Sequence, residues 1–201
     1  MNARYCDAKA GLQVRLFAMT IPQITTARTR ITLLEPQHAR LLQHYCDSNR
    51  AHLAPWEPVR PPGYYTLAAC EQRLRDSFQL AQENRGFQFA ILDPASAAMI
   101  GACNFNNIVR GVFQACHLGY SIAATHQGQG LMFEALQSLL NFVFDELDLH
   151  RVMANYIAHN ERSGKLLARL GFEREGYAKK YLKIAGQWQD HVLTAKVRER
   201  D

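Results

Sequence analysis

The segment His126-Gln127-Gly128-Gln129-Gly130-Leu131-Met132 stands between an alternating apolar stretch and a longer one with a helical apolar stripe. Strand, glycine loop and helix in that order form a device for holding phosphates. Glycines let the backbone curl until successive N–H groups converge, and the first helical turn adds unpaired donors and a partial positive charge. A nucleoside triphosphate hydrolase needs a lysine and a Ser or Thr after the last glycine, where this chain has Leu131 and Met132. A dinucleotide fingerprint needs a third glycine, and Phe133 follows Met132 instead. Taken alone, the loop also reads as a glycine turn with no ligand. A second candidate surface is Ala54–Gly63, whose four prolines in ten residues exclude regular structure while Trp56, Tyr64 and Tyr65 supply aromatic area. An aromatic loop of this kind suits a binding wall. Metal chemistry is not encoded: Cys6, Cys46, Cys70, Cys103 and Cys116 are scattered without a C-x-x-C pair, and the eight histidines show no H-x-x-x-H. The cysteines read as reduced, buried small hydrophobes.

The elements that must position these residues are legible from periodicity. Arg30–Leu34 reads as a strand, Pro36–Asn49 as a helix, and Thr66–Asn84 as a helix with Leu67, Cys70, Leu74, Phe78 and Ala81 at helical spacing. Phe87–Leu92, Met99–Val109 and Val112–Ala123 are three strands joined by short turns, hence an antiparallel meander. In the last of them Cys116, Leu118, Tyr120 and Ile122 share one face, and Ala115, His117, Gly119 and Ser121 share the other. After the glycine loop, Leu136, Leu139, Leu140, Val143 and Leu147 form the apolar stripe of a long helix. Arg151–Ile157 follows as a strand, Asn160–Leu170 as a helix closed by Gly171, and Tyr177–Ile184 with Gln187–Val197 as a terminal hairpin. Strands that meander and then alternate with helices make one mixed α/β domain around a single sheet.

Composition agrees with one core. The chain has 201 residues, 48% hydrophobic and 20% charged, enough for one sizeable domain and too apolar for disorder. No apolar run approaches the roughly 18 residues of a membrane span, nor does the start resemble a secretory signal, so a soluble, cytoplasmic protein without membrane contact is expected. Of the net charge of +5, residues 1–30 carry +4 through Arg4, Lys9, Arg15, Arg28 and Arg30 against Asp7. The basic character belongs to an N-terminal arm, which reads as a solvated extension or as a contact for nucleic acid or an acidic partner.

Leu118-Gly119-Tyr120-Ser121-Ile122, the loop Gln127–Met132, and Asn160-Glu161-Arg162-Ser163 followed by Leu170-Gly171-Phe172 together resemble the GNAT superfamily of acyl-CoA-dependent N-acetyltransferases, over roughly residues 30–197. The longer strings Pro55–Arg60, Asn107–Gly111, Gln127–Leu136, Met153–Tyr156 and Gly186–Ala195 are similar to the ribosomal-protein alanine N-acetyltransferases within it. The resemblance implies a basic extension at 1–28 and a GNAT domain at 29–198, with a mostly antiparallel sheet splayed at two parallel strands and flanked by helices. Acetyl-CoA would lie between Cys116–Ile122 and Arg151–Ile157, its pyrophosphate on the N–H groups of Gly128 to Met132. The implied cofactor set is Tyr120, Ser121, Ile122, Gln127, Gly128, Gln129, Gly130, Leu131, Met132, Asn160 and Ser163. The implied acceptor set is Trp56, Glu57, Tyr120, Asn155 and Tyr181. The chain departs from the superfamily pattern in two places: Met132 holds the usual final small position of the loop, and in the second helix Ser163 and Leu167 stand where many relatives have alanine and an acid tyrosine. Ser163 is then the nearest hydroxyl for the departing thiolate, or simply a first-turn serine. His117 stands where related sequences often carry a glutamate base, and is either a base or a structural histidine. Glu57 is a second base candidate, an anchor for the substrate ammonium, or an ordinary loop carboxylate.

The acceptor follows in part from proton chemistry. An α-amine with a pKa near 7.8 is neutral in roughly a tenth to a fifth of molecules at pH 7, a lysine in under about 0.1%. A chain without an obvious strong base therefore suits α-amines. The resemblance implies the N-terminal alanine of small-subunit ribosomal protein five, attacked directly, since Cys116 has no partner at a spacing that would make it a nucleophile. It also implies a ribosomal protein N-terminus as partner, with the arm able to meet a ribosome or pre-ribosomal particle. A GNAT enzyme for a small-molecule amine and a non-catalytic ribosome-assembly or RNA-binding factor are the rival readings.

Overall fold

The computed structural model describes residues 22–199, so Cys6 and the Arg4, Lys9 and Arg15 charges lie outside the described residues. β1 (Gln23–Thr25) pairs antiparallel with β2 (Arg30–Leu33). The end of the expected 1–28 extension is therefore an edge strand of the sheet. A 3-10 turn at Pro36–His38, with proline at its start where a missing N–H costs nothing, leads into α1 (Ala39–Ser48). α2 (Arg50–Leu53) and a 3-10 turn at Ala54–Trp56 carry the chain into the proline-rich stretch. α3 (Leu67–Gln82) begins at Thr66, whose hydroxyl accepts from Ala69 N at 3.3 Å.

β3 (Phe87–Leu92), β4 (Met99–Val109) and β5 (Ala115–Ile122) form the antiparallel meander. β5 starts later than its apolar run: Gly111 and Gln114 take positive φ, and Val112 and Phe113 are exposed at the tip. α4 (Leu131–Asn141) continues into a π-helical turn at Phe142–Glu146. The expected single strand Arg151–Ile157 is two pieces, β6 (Arg151–Met153) and β7 (Tyr156–Ile157). α5 (Glu161–Arg169), β8 (Glu173–Ile184) and β9 (Gln187–Val197) complete the described chain, the hairpin starting four residues earlier than its aromatic pattern suggested.

These residues form a nine-stranded sheet in the order β1-β2-β3-β4-β5-β6-β9-β7, with β8 on β9. β5 and β6 are parallel, and the other pairs are antiparallel. α1 and α3 cover one face, where Tyr45, Cys70 and Leu74 pack on Ala90, Leu92 and Ala123. α4 and α5 cover the other, where the expected stripe Leu136, Leu139, Leu140, Val143 and Leu147 packs with Phe89, Phe105, Cys116 and Leu118. Among the described residues no helix is long and apolar enough to cross a membrane.

Leu139 has no exposed surface. Leu139→Ala removes buried methylenes beneath the sheet and should lower unfolding free energy by about 2–5 kcal/mol. Urea unfolding monitored by circular dichroism checks this, and a loss under about 1 kcal/mol would mean that the layer collapses around the gap.

Candidate active site

β5 and β6 pair only from Ala115↔Arg151 to His117↔Met153. Beyond that point the chain is drawn to β9. Ala154 N donates to Thr194 O at 2.9 Å, the Thr194 hydroxyl donates back to Ala154 O, and Thr194 N donates to the Asn155 side-chain oxygen at 3.3 Å. A side chain thus takes an amide that a regular ladder would give to backbone, and β7 pairs only with β9. The upper half of β5 is left with one strand neighbour.

Which β5 donors face the gap follows from alternation. Arg151 N donates to Gln114 O, so even-numbered residues of this regular strand turn their backbone groups toward β6. Ala123 N donates to Ile100 O on β4, as an odd-numbered residue should. The Leu118 N–H closes the last pairing with Met153, and the N–H groups of Tyr120 and Ile122 beyond it therefore point into the cleft. Ser121, one of the expected cofactor contacts, has its backbone toward β4 and its Oγ 2.9 Å from the Tyr45 hydroxyl.

At the head of the cleft the loop takes the shape that its glycines permit. Gly128 and Gly130 have φ of 73° and 77°, a region costly for other residues, and among the described residues no atom lies within 4 Å of where a Gly128 Cβ would stand. Gly130 is the N-cap of α4, and no side chain caps the turn. The N–H groups of this helical turn and the open glycine cradle fit a diphosphate. Arg28 straps the loop from outside: Nε meets Glu134 at 2.8 Å, and Nη1 donates to Gln129 O at 2.8 Å. Arg28, Gly128, Gln129, Gly130, Phe133 and Arg169 line an open groove of about 490 Å³. Gln127 ties the loop inward, its Oε1 accepting from Arg162 at 2.6 Å and its Nε2 lying 3.1 Å from His52 Nε2. His52 Nε2 in turn is 3.2 Å from Ile122 O.

Lower in the cleft, the Tyr120 and Ser163 hydroxyls are 2.6 Å apart. Asn160, not Ser163, caps α5: its side-chain oxygen accepts from Ser163 N at 3.2 Å. That leaves the Ser163 hydroxyl out of the capping interaction. Burial pushes the Tyr120 phenol up to about 12, against the lowering effect of the Ser163 hydrogen bond. A Cβ on Gly164 would lie 2.9 Å from the Tyr156 ring and hydroxyl, so glycine there admits a second phenol to the first turn of α5. Leu167 is buried in the core. Cys116 is fully buried, and its thiol is pushed up to about 12 by that burial. It stays protonated and is no nucleophile.

The expected acceptor residues fall into two groups. Trp56 packs its ring 5.8 Å from His159, just ahead of α5, while Glu57 is held by Arg60 at 2.9 Å and its carbonyl accepts from Ala185 N. The carboxylate is thus ion-paired. Asn155 donates to the Tyr181 hydroxyl at 3.3 Å, and Tyr181 leans on His191 with ring centroids 5.4 Å apart. His117 sits on the opposite face of β5 from Tyr120. Its Nδ1 is buried without a hydrogen-bond partner among the described residues, and desolvation lowers its pKa. Arg28, His52 and Arg162 were not foreseen from sequence. Gly164 carried a signal, since a glycine inside a helix often marks a close approach. Among the described residues no group of three His, Cys, Asp or Glu side chains is placed to hold a metal.

Residues 28–173 match the Acetyltransferase (GNAT) domain family. The chain is 48% identical over 173 residues to the [Ribosomal protein uS5]-alanine N-acetyltransferase of Escherichia coli (strain K12), covering 86% of this chain and 89% of that one. It superposes with a TM-score of 0.86 on the crystal structure of ribosomal-protein-S5-alanine acetyltransferase from Vibrio fischeri, at 39% identity over 89% of this chain and 97% of that one. Mycobacterium smegmatis RimJ in complex with CoA-disulfide gives a TM-score of 0.80 at 26% identity, over 85% of this chain and 82% of that one.

Gly130→Asp places a carboxylate in the cradle that would receive a diphosphate and forces a side chain onto a positive φ. Acetyl-CoA affinity should fall at least about tenfold, the equivalent of losing one favourable charge interaction at a helix N-terminus. Isothermal calorimetry giving wild-type affinity would remove the loop from the cofactor site.

Proposed function

Because the chain belongs to the acetyltransferase (GNAT) domain family, we propose that it transfers acetyl from acetyl-CoA to the N-terminal α-amine of a protein, the N-terminal alanine of ribosomal protein uS5. The identity of 48% to the Escherichia coli enzyme of that name, over most of both chains, carries the choice of acceptor. A GNAT domain at 29–198, extended to the edge strand at Gln23, is the catalytic unit. Arg4, Lys9 and Arg15 of the N-terminal extension are the residues proposed to meet a ribosomal or pre-ribosomal particle, their charge being the support. A ribosomal protein as acceptor supports a cytoplasmic location.

Acetyl-CoA supplies an acyl group activated as a thioester. The loop Gly128 to Met132 holds its phosphates, with Gln127 and Asn160 alongside, and the edge amides of Tyr120 and Ile122 bond the pantetheine and polarise the carbonyl. Each donor aimed at a developing oxyanion contributes about 3 kcal/mol. Trp56, Asn155 and Tyr181 shape the acceptor side, and Glu57, steadied by Arg60, anchors the ammonium. Nitrogen attacks carbon directly, a C–N bond forms, the C–S bond breaks, and its electron pair stays on sulfur. His117 takes the proton from nitrogen, for which its neutral, desolvated ring is suited. Ser163 faces the departing sulfur.

Intact-mass spectrometry of ribosomal proteins from cells with and without the gene should show uS5 lighter by one acetyl group in its absence. Unchanged masses on every ribosomal protein would sink the reading. A His117 pKa below its ordinary 6.5 means the ring is uncharged at neutral pH and becomes protonated only as the pH drops further. At saturating substrates, kcat should therefore hold from pH 8 to about 6.5 and fall below it, with His117→Gln both slower and lacking that acidic limb. An unchanged limb in the variant excludes His117 as base. Ser163→Ala should lower kcat by about tenfold to a hundredfold, leave acetyl-CoA binding nearly intact, and recover partly when the leaving thiol is more acidic.

A further inference from the structure

The contact between Tyr120 and Ser163 joins two walls of the cleft. Tyr120 reaches from β5 and Ser163 from the first turn of α5, and their hydroxyls meet at 2.6 Å, short even for an O–H···O bond. The phenol is the more acidic of the two and so is the natural donor. Its other acceptor within reach, Ser163 O, is distant at 3.5 Å. With its oxygen accepting from Tyr120 and the helix already capped by Asn160, Ser163 has its own proton left to give. Tyr156, admitted by Gly164, closes the far side. The pair stands beside the gap into which the amides of Tyr120 and Ile122 point.

We propose that Tyr120 and Ser163 act as one ordered donor, Tyr120 bonding Ser163 and Ser163 bonding the sulfur of coenzyme A, so that the thiolate leaves stabilised by a hydrogen bond and no proton passes to it from either hydroxyl. This rests on the acetyltransferase reading above and deepens it. Balance is kept: sulfur departs with the C–S electron pair, nitrogen loses its proton to the base, and the thiolate is protonated later by solvent. Tyr120 is then a positioning residue that acts through Ser163. The buried phenol is a poorer acid than a free thiol, so giving up its proton to sulfur would run uphill. A donated hydrogen bond has no such cost and is strongest when its acceptor is charged.

The test reads bound coenzyme A directly. Ultraviolet absorbance of the thiolate is followed against pH for coenzyme A saturating the wild type, Tyr120→Phe, Ser163→Ala and the double variant, with calorimetry confirming saturation. The thiol bound to the wild type should titrate below the roughly 8.5 of a free thiol. Each single variant should raise that value by about one unit or more, as loss of a hydrogen bond to a charged group requires, and the double variant should go no further. Ser163→Ala leaves the ring packing of Tyr120 in place, so it decides the matter if Tyr120→Phe disturbs the core. Identical titrations in wild type and Ser163→Ala overturn the proposal. So does a basic limb in kcat that vanishes in Tyr120→Phe, which would make the phenol a true acid. A wild type that shows the lowered thiol titration yet acetylates no α-amine overturns the acetyltransferase reading and leaves the donor pair standing.

Discussion

The parting of β6 from β5 after Met153 is the constraint from which the rest of the site follows. It is enforced from the far side, by the Asn155 side chain accepting from Thr194 N and by the exchange between Ala154 and Thr194. Three residues of parallel pairing hold the two halves of the sheet together, and the next residues belong to β9 alone. Among the described residues the amides of Tyr120 and Ile122 then lack a strand partner, where nearly every buried backbone donor has one. An unpaired donor of this kind is costly to bury, at about 1–3 kcal/mol. The same cost makes the edge a strong partner for any carbonyl laid along it.

Binding and chemistry are thereby put at different heights of one cleft. At the head, glycine backbone, the N-terminus of α4 and the strap of Arg28 suit a charged, non-reacting part of a ligand, where each interaction contributes from some tenths to about 2 kcal/mol. In the throat, edge amides and the Tyr120–Ser163 hydroxyls are the groups proposed to meet the atoms whose charge changes, where single donors are worth more. Energy from the remote end can hold the reacting end in place. The chain links the two levels physically: Arg162, next to Ser163 on α5, bonds Gln127 of the loop, and Gln127 meets His52 beside Ile122. A displacement of α5 would be felt at both.

What sequence made legible was whatever is local. The alternation of Cys116–Ile122 and the stripe from Leu136 to Leu147 each describe one element against one core, and both are built as read. The glycine loop was readable because positive φ has a residue signature. The break at Ala154-Asn155 was not, because it depends on Thr194, 39 residues on in the chain, and an asparagine in a strand gives no warning of its partner. Arg28 was assigned to an arm because its partner Glu134 is 106 residues away. Ser121 is a different case: the same alternation that places Tyr120 and Ile122 on one face already turns the Ser121 amide to β4.

Burial drives the titratable groups around the cleft toward their uncharged forms. Desolvation lowers His117, raises Tyr120 and Cys116, and raises Cys103 and Tyr45 as well. Full charges are kept to the rim, on Arg28, Arg162, Arg169 and the Glu57–Arg60 pair. A throat of neutral groups would be a poor place to deprotonate a lysine, whose neutral form is scarce. It suits an α-amine, which arrives partly neutral, and a thiolate, which leaves without needing a strong acid. In such a throat the work falls to fixed dipoles, the edge amides on one side and two hydroxyls on the other. Fixed dipoles need no reorganisation as charge develops. The absence of a tyrosine at Leu167 is then no deficit, since Ser163 of the same helix, steadied by Tyr120 from β5, can give a hydrogen bond whose proton stays in place.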